Sequence, residues 1–370
     1  MATPFIFIVI LGLLVLSHEL GHFLAAKWAK MRVDEFAFGF PPKLFSFRRG
    51  ETRYSLNLIP FGGFVKIHGE DSLVDDVAES ATDRSRRFTA RPKKAQAVVI
   101  GAGVIFNLIL AWLLLAVGFS VGFPTQVTEE NKNNLTEIRL LVASVMPESP
   151  AERAGLKGGD TVTEISVFGK KYPLSREATE LGDIVQTSKG APITLLYERG
   201  DTSIRTEMTP VFNTETNLYT LGVGLESIGL LKLSPLQALQ ESGVRTFEYT
   251  WLTLSGFFDL IRDALLGKAD LASISGPVGI YFLVSDAATL GLSYLLGFTA
   301  IISISLAVIN ILPFPALDGG RLAMLLVEAL RGKPLSDTLV ARINTIGFMV
   351  LIVLMVLVSY RDLAKYNLFG

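Results

Sequence analysis

The chain contains no cysteine, which excludes disulfides, thiolate metal sites and cysteine nucleophiles together. Charge is scarce too: 19% of the 370 residues are Asp, Glu, Lys or Arg, the formal net charge is -1, and no long run of Lys or Arg occurs. Without a basic footprint, nucleic acid is set aside as a partner. Histidine is rarer still, at three residues. Any metal must therefore sit on histidine and carboxylate. No cation precedes Lys27, whereas a secretory signal needs cations ahead of its apolar run, so the first apolar stretch reads as a membrane span.

What the chain does have is apolar length, with half of its residues hydrophobic. Four stretches, from about Pro4 to Ala26, Ala95 to Val121, Leu292 to Leu312 and Ile343 to Tyr360, approach the roughly 20 residues that a helix needs to cross a bilayer core. The connection between the first two carries Lys27, Lys30 and Arg32 at one end and Arg84, Arg86, Arg87, Arg91, Lys93 and Lys94 at the other. The connection between the last two carries Arg331, Lys333 and Arg342. The positive-inside rule puts both in the cytoplasm, and the segment from about Gly122 to Gly291 outside.

The first cytoplasmic connection, "DEFAFGFPPKLFSFRRGETRYSLNLIPFGGFVKIHGED", alternates aromatic or β-branched residues with polar ones between Gly and Pro breaks. It predicts three or four short strands in a small membrane-associated sheet. Ser72 to Arg91 reads as a linker with a short helix. Outside, "SPAERAGLKGGD" forms a turn-helix-turn between strand patterns, followed by a hairpin in "APITLLYERGDTSIRTEMTPV". This resembles one PDZ domain of the kind found in bacterial proteases, an α+β module that takes extended peptides by strand addition. Next, "SPLQALQESGVRTFEYTWLTLSGFFDLIRDALLG" is amphipathic and too charged for a span, so one or two helices on the outer membrane surface are expected. "SISGPVGI" reads as a breaker before the third span.

The unusual stretch is "VLSHELGHFLAAKW", which puts His18, Glu19 and His22 inside the first span. Ionisable groups there are costly and mark function. On a helix, His18 and His22 lie about 6 Å apart along the axis and face one way, the spacing zinc needs, with Glu19 beside them as general base for a metal-activated water. His18 lies roughly 21 Å along the helix from Pro4, inside the bilayer and nearer the cytoplasm. His68 reads as a polar surface group. A hydrolytic zinc site also needs a third protein ligand. In "NILPFPALDGGRLAMLLVEAL", Pro313 and Pro315 stop the third span and Gly319 and Gly320 allow tight backbone, so Asp318 falls in a broken region at the depth of His18. Glu328 reads as an ordinary helix-end charge.

H-E-L-G-H in the first span, N-x-x-P-x-P-x-L-D-G-G later, a sheet carrying "PFGGFVKIHGED", an outer PDZ domain and "SGPVGI" together resemble the bacterial site-2 protease family, zinc intramembrane metalloproteases, especially its regulator-of-sigma-E protease branch. The likeness covers nearly the whole chain, with one PDZ domain where a well-known member has two. It implies one zinc ion on His18, His22 and Asp318, and Glu19 as catalytic base. It further implies a substrate-binding role for Asn310. Pro315 nearby, and Phe61, Gly62 and Gly63 in the sheet, where an exposed edge could take an unwound substrate by strand addition, are further substrate-binding candidates. "GAGVIFN" matches a segment packed against the catalytic helix, where Gly101 and Gly103 would permit close contact and Asn107 a polar one.

The fold class expected is a polytopic α-helical membrane protein of about four spans, with a small sheet and one extracytoplasmic PDZ domain. Residues 1–122 form the N-terminal membrane part, 123–215 the PDZ domain, 216–290 the amphipathic surface region and 291–370 the C-terminal membrane part. The expected place is the bacterial cytoplasmic membrane, with the site toward the cytoplasm. The expected partners are single-span membrane proteins, the lipid bilayer and a peptide at the PDZ groove. Substrates would be anti-sigma factors after a first cut elsewhere, or remnant signal peptides. Two alternatives stand beside this reading. A non-catalytic PDZ scaffold would tolerate Glu19→Gln, and an ion or proton transporter would show flux without cleavage.

Overall fold

Apolar runs with no polar partners satisfy their backbone groups within themselves, so they fold as helices. The computed structural model describes residues 3–70, 81–129, 131–173, 178–200, 202–214, 216–268 and 275–365. It opens with helix α1 (Thr3–Trp28), strands β1 (Val33–Arg49) and β2 (Thr52–Ile67), and helices α2 (Ala81–Ser85) and α3 (Lys93–Val121). Strands β3 (Phe123–Gln126) and β4 (Leu135–Val145), helix α4 (Pro150–Arg153), strands β5 (Thr161–Val167) and β6 (Lys170–Pro173) and helix α5 (Ala178–Ser188) follow. Then come β7 (Ile193–Arg199), β8 (Thr202–Met208), β9 (Val211–Asn213), β10 (Leu218–Thr220) and β11 (Val223–Leu231). The chain closes with α6 (Pro235–Leu265), α7 (Pro277–Leu290), α8 (Leu292–Ile311), α9 (Asp318–Arg331) and α10 (Asp337–Lys365). Four of these, α1, α3, α8 and α10, are long and apolar enough to cross a membrane, and each contains most of an expected span.

The chain divides into two units, one of residues 1–115, 239–285 and 298–370, the other of 116–238 and 286–297. In the first, β1 and β2 bend so that their halves pair separately. Phe47 faces Tyr54, Phe36 faces both Tyr54 and Val65, and Val33 faces Ile67. The order across the sheet is therefore 43–49, 52–57, 33–38, 63–67, four short segments as the sequence suggested. Among the described residues, segment 63–67 is paired on one side only. Ala26, Met31, Val33, Ile67, Val99, Ile100 and Leu325 bury against one another and tie α1, the sheet, α3 and α9 into one core. A methionine or valine withdrawn from water there contributes about 1.5–3 kcal/mol. Of the expected linker, residues 72–80 lie outside the described ones, and α2 is its short helix.

Two features of this unit differ from expectation. His68 is not a surface group: it is 8% exposed, with Nδ1 3.1 Å from Asp34 Oδ2, because the turn after β2 folds onto the strand that carries Asp34. "SISGPVGI" does more than break the chain. Residues 269–274 lie outside the described ones, but Pro277 begins α7, at a position where its missing N–H costs nothing. The buried Asp362 of α10 accepts the N–H groups of Gly276 and Gly279 at 2.9 and 2.8 Å.

The surface region proves to contain one long helix. In α6, Phe247, Trp251 and Phe258 are exposed, while Arg245 is braced by Glu241 and Glu248. Trp112 Nε1 of α3 donates to the Leu239 carbonyl at 2.9 Å, anchoring the start of α6.

The second unit is a sheet in the order β3-β11-β4-β5-β7-β8, with β6 beside β5. Inward positions alternate along the strands: Ile193, Leu195 and Tyr197 of β7 meet Ile165 and Val167 of β5 and Leu181 and Val185 of α5. Ser149 caps α4, its Oγ accepting from Glu152 N at 3.2 Å. One expected boundary is overturned. β11 pairs with both β3 and β4, so residues 223–231 belong to this sheet and not to a helical surface region starting at 216.

Candidate active site

At 3.6 residues per turn, α1 sets His18 and His22 on one face. Their Nε2 atoms are 3.1 Å apart, and Asp318 Oδ2 stands 3.2 Å from the first and 3.3 Å from the second. A tetrahedral ion about 2.05 Å from its ligands needs them about 3.3–3.4 Å apart, so the three atoms are spaced as edges of that tetrahedron. Asp318 Oδ2 is buried and has no hydrogen-bond partner, as befits an oxygen aimed at a cation. Two imidazoles and a carboxylate, with no thiolate, are a donor set that suits zinc.

The backbone makes room for this cluster. A side chain at Gly103 of α3 would fall 2.7 Å from His18 Cε1 and nearer still to His22 Nε2, so any other residue would occupy the place where the ligands converge. A side chain at Gly21, between the two histidines, would collide with the Ala102 carbonyl. The contact between α1 and α3 thus runs through Gly21 and Gly103. Gly101, expected to share it, faces open space. Asp318 reaches the site because α8 ends at Ile311 and the chain turns back sharply, with Ala316 at a φ of 71°. A side chain at Gly319 would strike the Ile311 and Leu312 carbonyls, which is why this turn ends in glycine.

Each of the two histidines has a neighbour behind it. Val99 O lies 2.8 Å from His22 Nδ1, and Asn107 Nδ2 lies 3.4 Å from His18 Nδ1. Glu19 lines a pocket of about 180 Å³ with the three candidate ligands, Gly63, Phe64 and Val65. The edge segment 63–67 therefore runs along the wall of the site.

Sequence reasoning missed two members of that wall. Arg321 stands three residues after Asp318, one helical turn on, and makes an ion pair with Glu70. Both flank motif residues, in "LDGGR" and "HGED", which is the signal that could have found them. A larger cleft of about 1290 Å³ shares Phe64, Val65, Glu70, Ile100 and Arg321 with this pocket and extends to Asn344 and Phe348 of α10. Glu328 lines it, paired with Lys93 at 2.6 Å, so it is more than an isolated helix-end charge.

The other expected residues are dispersed. Gly62, at a φ of 115°, lies beneath the Phe40 ring, and the side chain of Phe61 lies outside the described residues. Asn310 sits in the last turn of α8. Pro315 packs on Gly347 of α10. Neither Asn310 nor Pro315 lines the smaller pocket.

A His-Glu-x-x-His helix with a carboxylate against it, in a chain with several helices of membrane-crossing length, is the pattern of a metallopeptidase. Comparison with known proteins narrows this. The model of peptidase family M50 matches residues 6–354. A Clostridium perfringens protein is 36% identical over 352 residues, covering 95% of each chain. The zinc metalloprotease RasP of Geobacillus kaustophilus is 30% identical, and the regulator of sigma-W protease RasP of Bacillus subtilis 29%, each alignment covering 98% of both chains. A solved PDZ domain of an SdrC-like protein from Listeria monocytogenes is 22% identical at a TM-score of 0.21, covering 27% of this chain and 93% of its own.

The chain belongs to peptidase family M50. It is a zinc metalloprotease with four helices, among the described residues, long and apolar enough to cross a membrane, and the scaffold and transporter alternatives fall away.

Proposed function

We propose that the chain is an intramembrane endopeptidase that cleaves the membrane-spanning segments of single-span proteins, with one zinc ion held by His18, His22 and Asp318. The observation that carries this is the tetrahedral spacing of the three ligand atoms, two of them on a helix long and apolar enough to span a membrane and the third at the start of α9. His18, His22 and Asp318 would hold the ion, whose chemistry there would be to polarise the scissile carbonyl and acidify a water. Glu19, beside them, would take the proton of the attacking water and return it to the departing amide nitrogen. His22, backed by the Val99 carbonyl, keeps its Nε2 turned to the site.

A helical substrate hides its amides in its own hydrogen bonds and has to unwind first. Segment 63–67 offers a free edge along the pocket wall, where an unwound strand can add. Gly63 lets that edge pass close to Glu19, and Asn310 is a further anchor. The second unit acts as a single PDZ domain outside the membrane, taking peptide along an open strand edge and rejecting substrates that keep a bulky outer domain. The Lys and Arg pattern supports a bacterial cytoplasmic membrane, with the active site toward the cytoplasm. The name of the Bacillus relative, a regulator of sigma-W protease, supports substrates in sigma-factor signalling, an anti-sigma factor already trimmed once. Clearance of remnant signal peptides needs the same chemistry.

The test is cleavage in detergent or liposomes of a single-span protein lacking its outer domain, by the parent and by Glu19→Gln. Cutting within the span by the parent alone supports the reading. Cutting only outside the span, or equal cutting by both, overturns it.

A further inference from the structure

We infer that Asn107 is a positioning residue for the metal centre, its side-chain oxygen accepting the Nδ1 proton of His18 and so fixing which nitrogen faces the metal. The inference rests on the proposed ligation by His18. It goes beyond it by assigning the group that sets the ring's tautomer and angle.

His18 turns Nε2 toward Asp318 and His22. A neutral imidazole that gives the Nε2 lone pair to a metal keeps its one hydrogen on Nδ1, and that N–H needs an acceptor. For His22 the acceptor is the Val99 carbonyl, 2.8 Å away. For His18 the atom in that place is Asn107 Nδ2, at 3.4 Å, which is itself a donor.

Meanwhile Asn107 Oδ1 is buried with no hydrogen-bond partner, on a residue that is 0% exposed. Two donors face each other while an acceptor beside them stands idle. The two ends of an amide have nearly the same shape, so a half-turn about the Cβ–Cγ bond exchanges them without disturbing the packing. It gives His18 its acceptor and Asn107 Oδ1 its donor in one move.

The backbone at this position is fixed as well, since Ser303 Oγ of α8 donates to the Asn107 carbonyl at 2.7 Å. Asn107 therefore stands to His18 as Val99 stands to His22. Acceptors behind metal-bound imidazoles hold the ring and raise its basicity.

The test uses full-length parent, Asn107→Leu and Asn107→Asp in detergent, stripped of metal and titrated with zinc against a competing chelator. Thermal unfolding of each metal-free form is followed alongside. Asn107→Leu keeps the volume and loses the acceptor, so zinc binding should weaken about 10–100-fold with metal-free unfolding unchanged. Asn107→Asp keeps an acceptor, so it should bind zinc at least as tightly as the parent. A folded Asn107→Leu variant with parental zinc affinity overturns the inference. Should Asn107→Leu fail to fold, Asn107→Asp decides alone: weakened zinc binding there contradicts an acceptor role, because packing alone gives a buried acid no advantage. If the parent itself holds no zinc, the ligation reading has failed and this one falls with it, and the parent titration shows that directly.

Discussion

Asp160 in the sheet unit is a buried acid and Asp318 in the helical unit a partly buried one, and the chain treats them differently. Asp160 is answered by protein alone: Arg199 donates to its two oxygens at 2.7 Å each, and Lys157 N–H adds a third bond at 2.9 Å. Asp318 has two imidazoles before it and no hydrogen-bond donor on Oδ2. The helical unit can complete a buried acid when that serves the fold, as Asp362 shows by capping α7 with two N–H groups. The incompleteness at Asp318 is therefore local to the pocket, and the proposed ligation of zinc would answer it. A buried acid satisfied by its own chain holds the fold, and one left short of donors points to chemistry.

The strongest way to break this comparison is to fill the space the ligands share. Gly103→Leu puts a side chain among His18 and His22, and it should abolish zinc retention and cleavage while the sheet unit keeps its hydrogen-exchange protection. Retained zinc would show that the three atoms do not converge on a metal. Next in size is Glu19→Gln, which should keep one zinc per chain and lose about 10²–10⁴-fold in turnover, as removal of a general base does. Loss of zinc together with activity would make Glu19 a structural group.

The opposite arm of the comparison is Asp160→Asn. It should destabilise the sheet unit by about 1–3 kcal/mol through the lost charged hydrogen bonds, read by hydrogen exchange in β5 and β7, with zinc content unchanged. The smallest effect is expected at Glu51, in the turn between β1 and β2. There, hydrogen bonds from Arg86 hold the carboxyl at about 2, below its ordinary 4.5. A carboxyl lowered in the folded state stabilises fully above its unfolded pKa, and that contribution is lost as pH falls from about 4.5 toward about 2. The group is partly exposed, so Glu51→Gln should cost under about 1 kcal/mol near neutrality and flatten the acid limb of a melting-temperature profile. An unchanged acid limb would remove Glu51 as its source.

The sequence disclosed the helical unit's candidate site better than its packing. His18, Glu19 and His22 were legible because polar groups at helical spacing in an apolar run have few structural reasons to exist, and Asp318 because prolines and glycines broke a span beside it. The helix contact was half legible. In a helix that is apolar all round, periodicity does not reveal which face meets a neighbour, so Gly103 was named alongside Gly101 while Gly21 was passed over. The partner of Asn107, the ion pair of Glu70 with Arg321 and the burial of His68 join residues far apart in sequence, and no local pattern announces them. In the sheet unit, "SPAERAGLKGGD" announced α4 and its turns, but β11 was missed because glycines interrupt its alternation and its pairing with β4 lies far back in the chain.

The most direct test of the central claim is zinc analysis with X-ray absorption on the purified parent and on Asp318→Asn. The account predicts one zinc per parent chain, with two imidazole nitrogens and a carboxylate oxygen at about 2.0–2.2 Å, and a clear loss of affinity in Asp318→Asn. Zinc bound equally by both proteins, or a parent shell without two imidazoles, would contradict it.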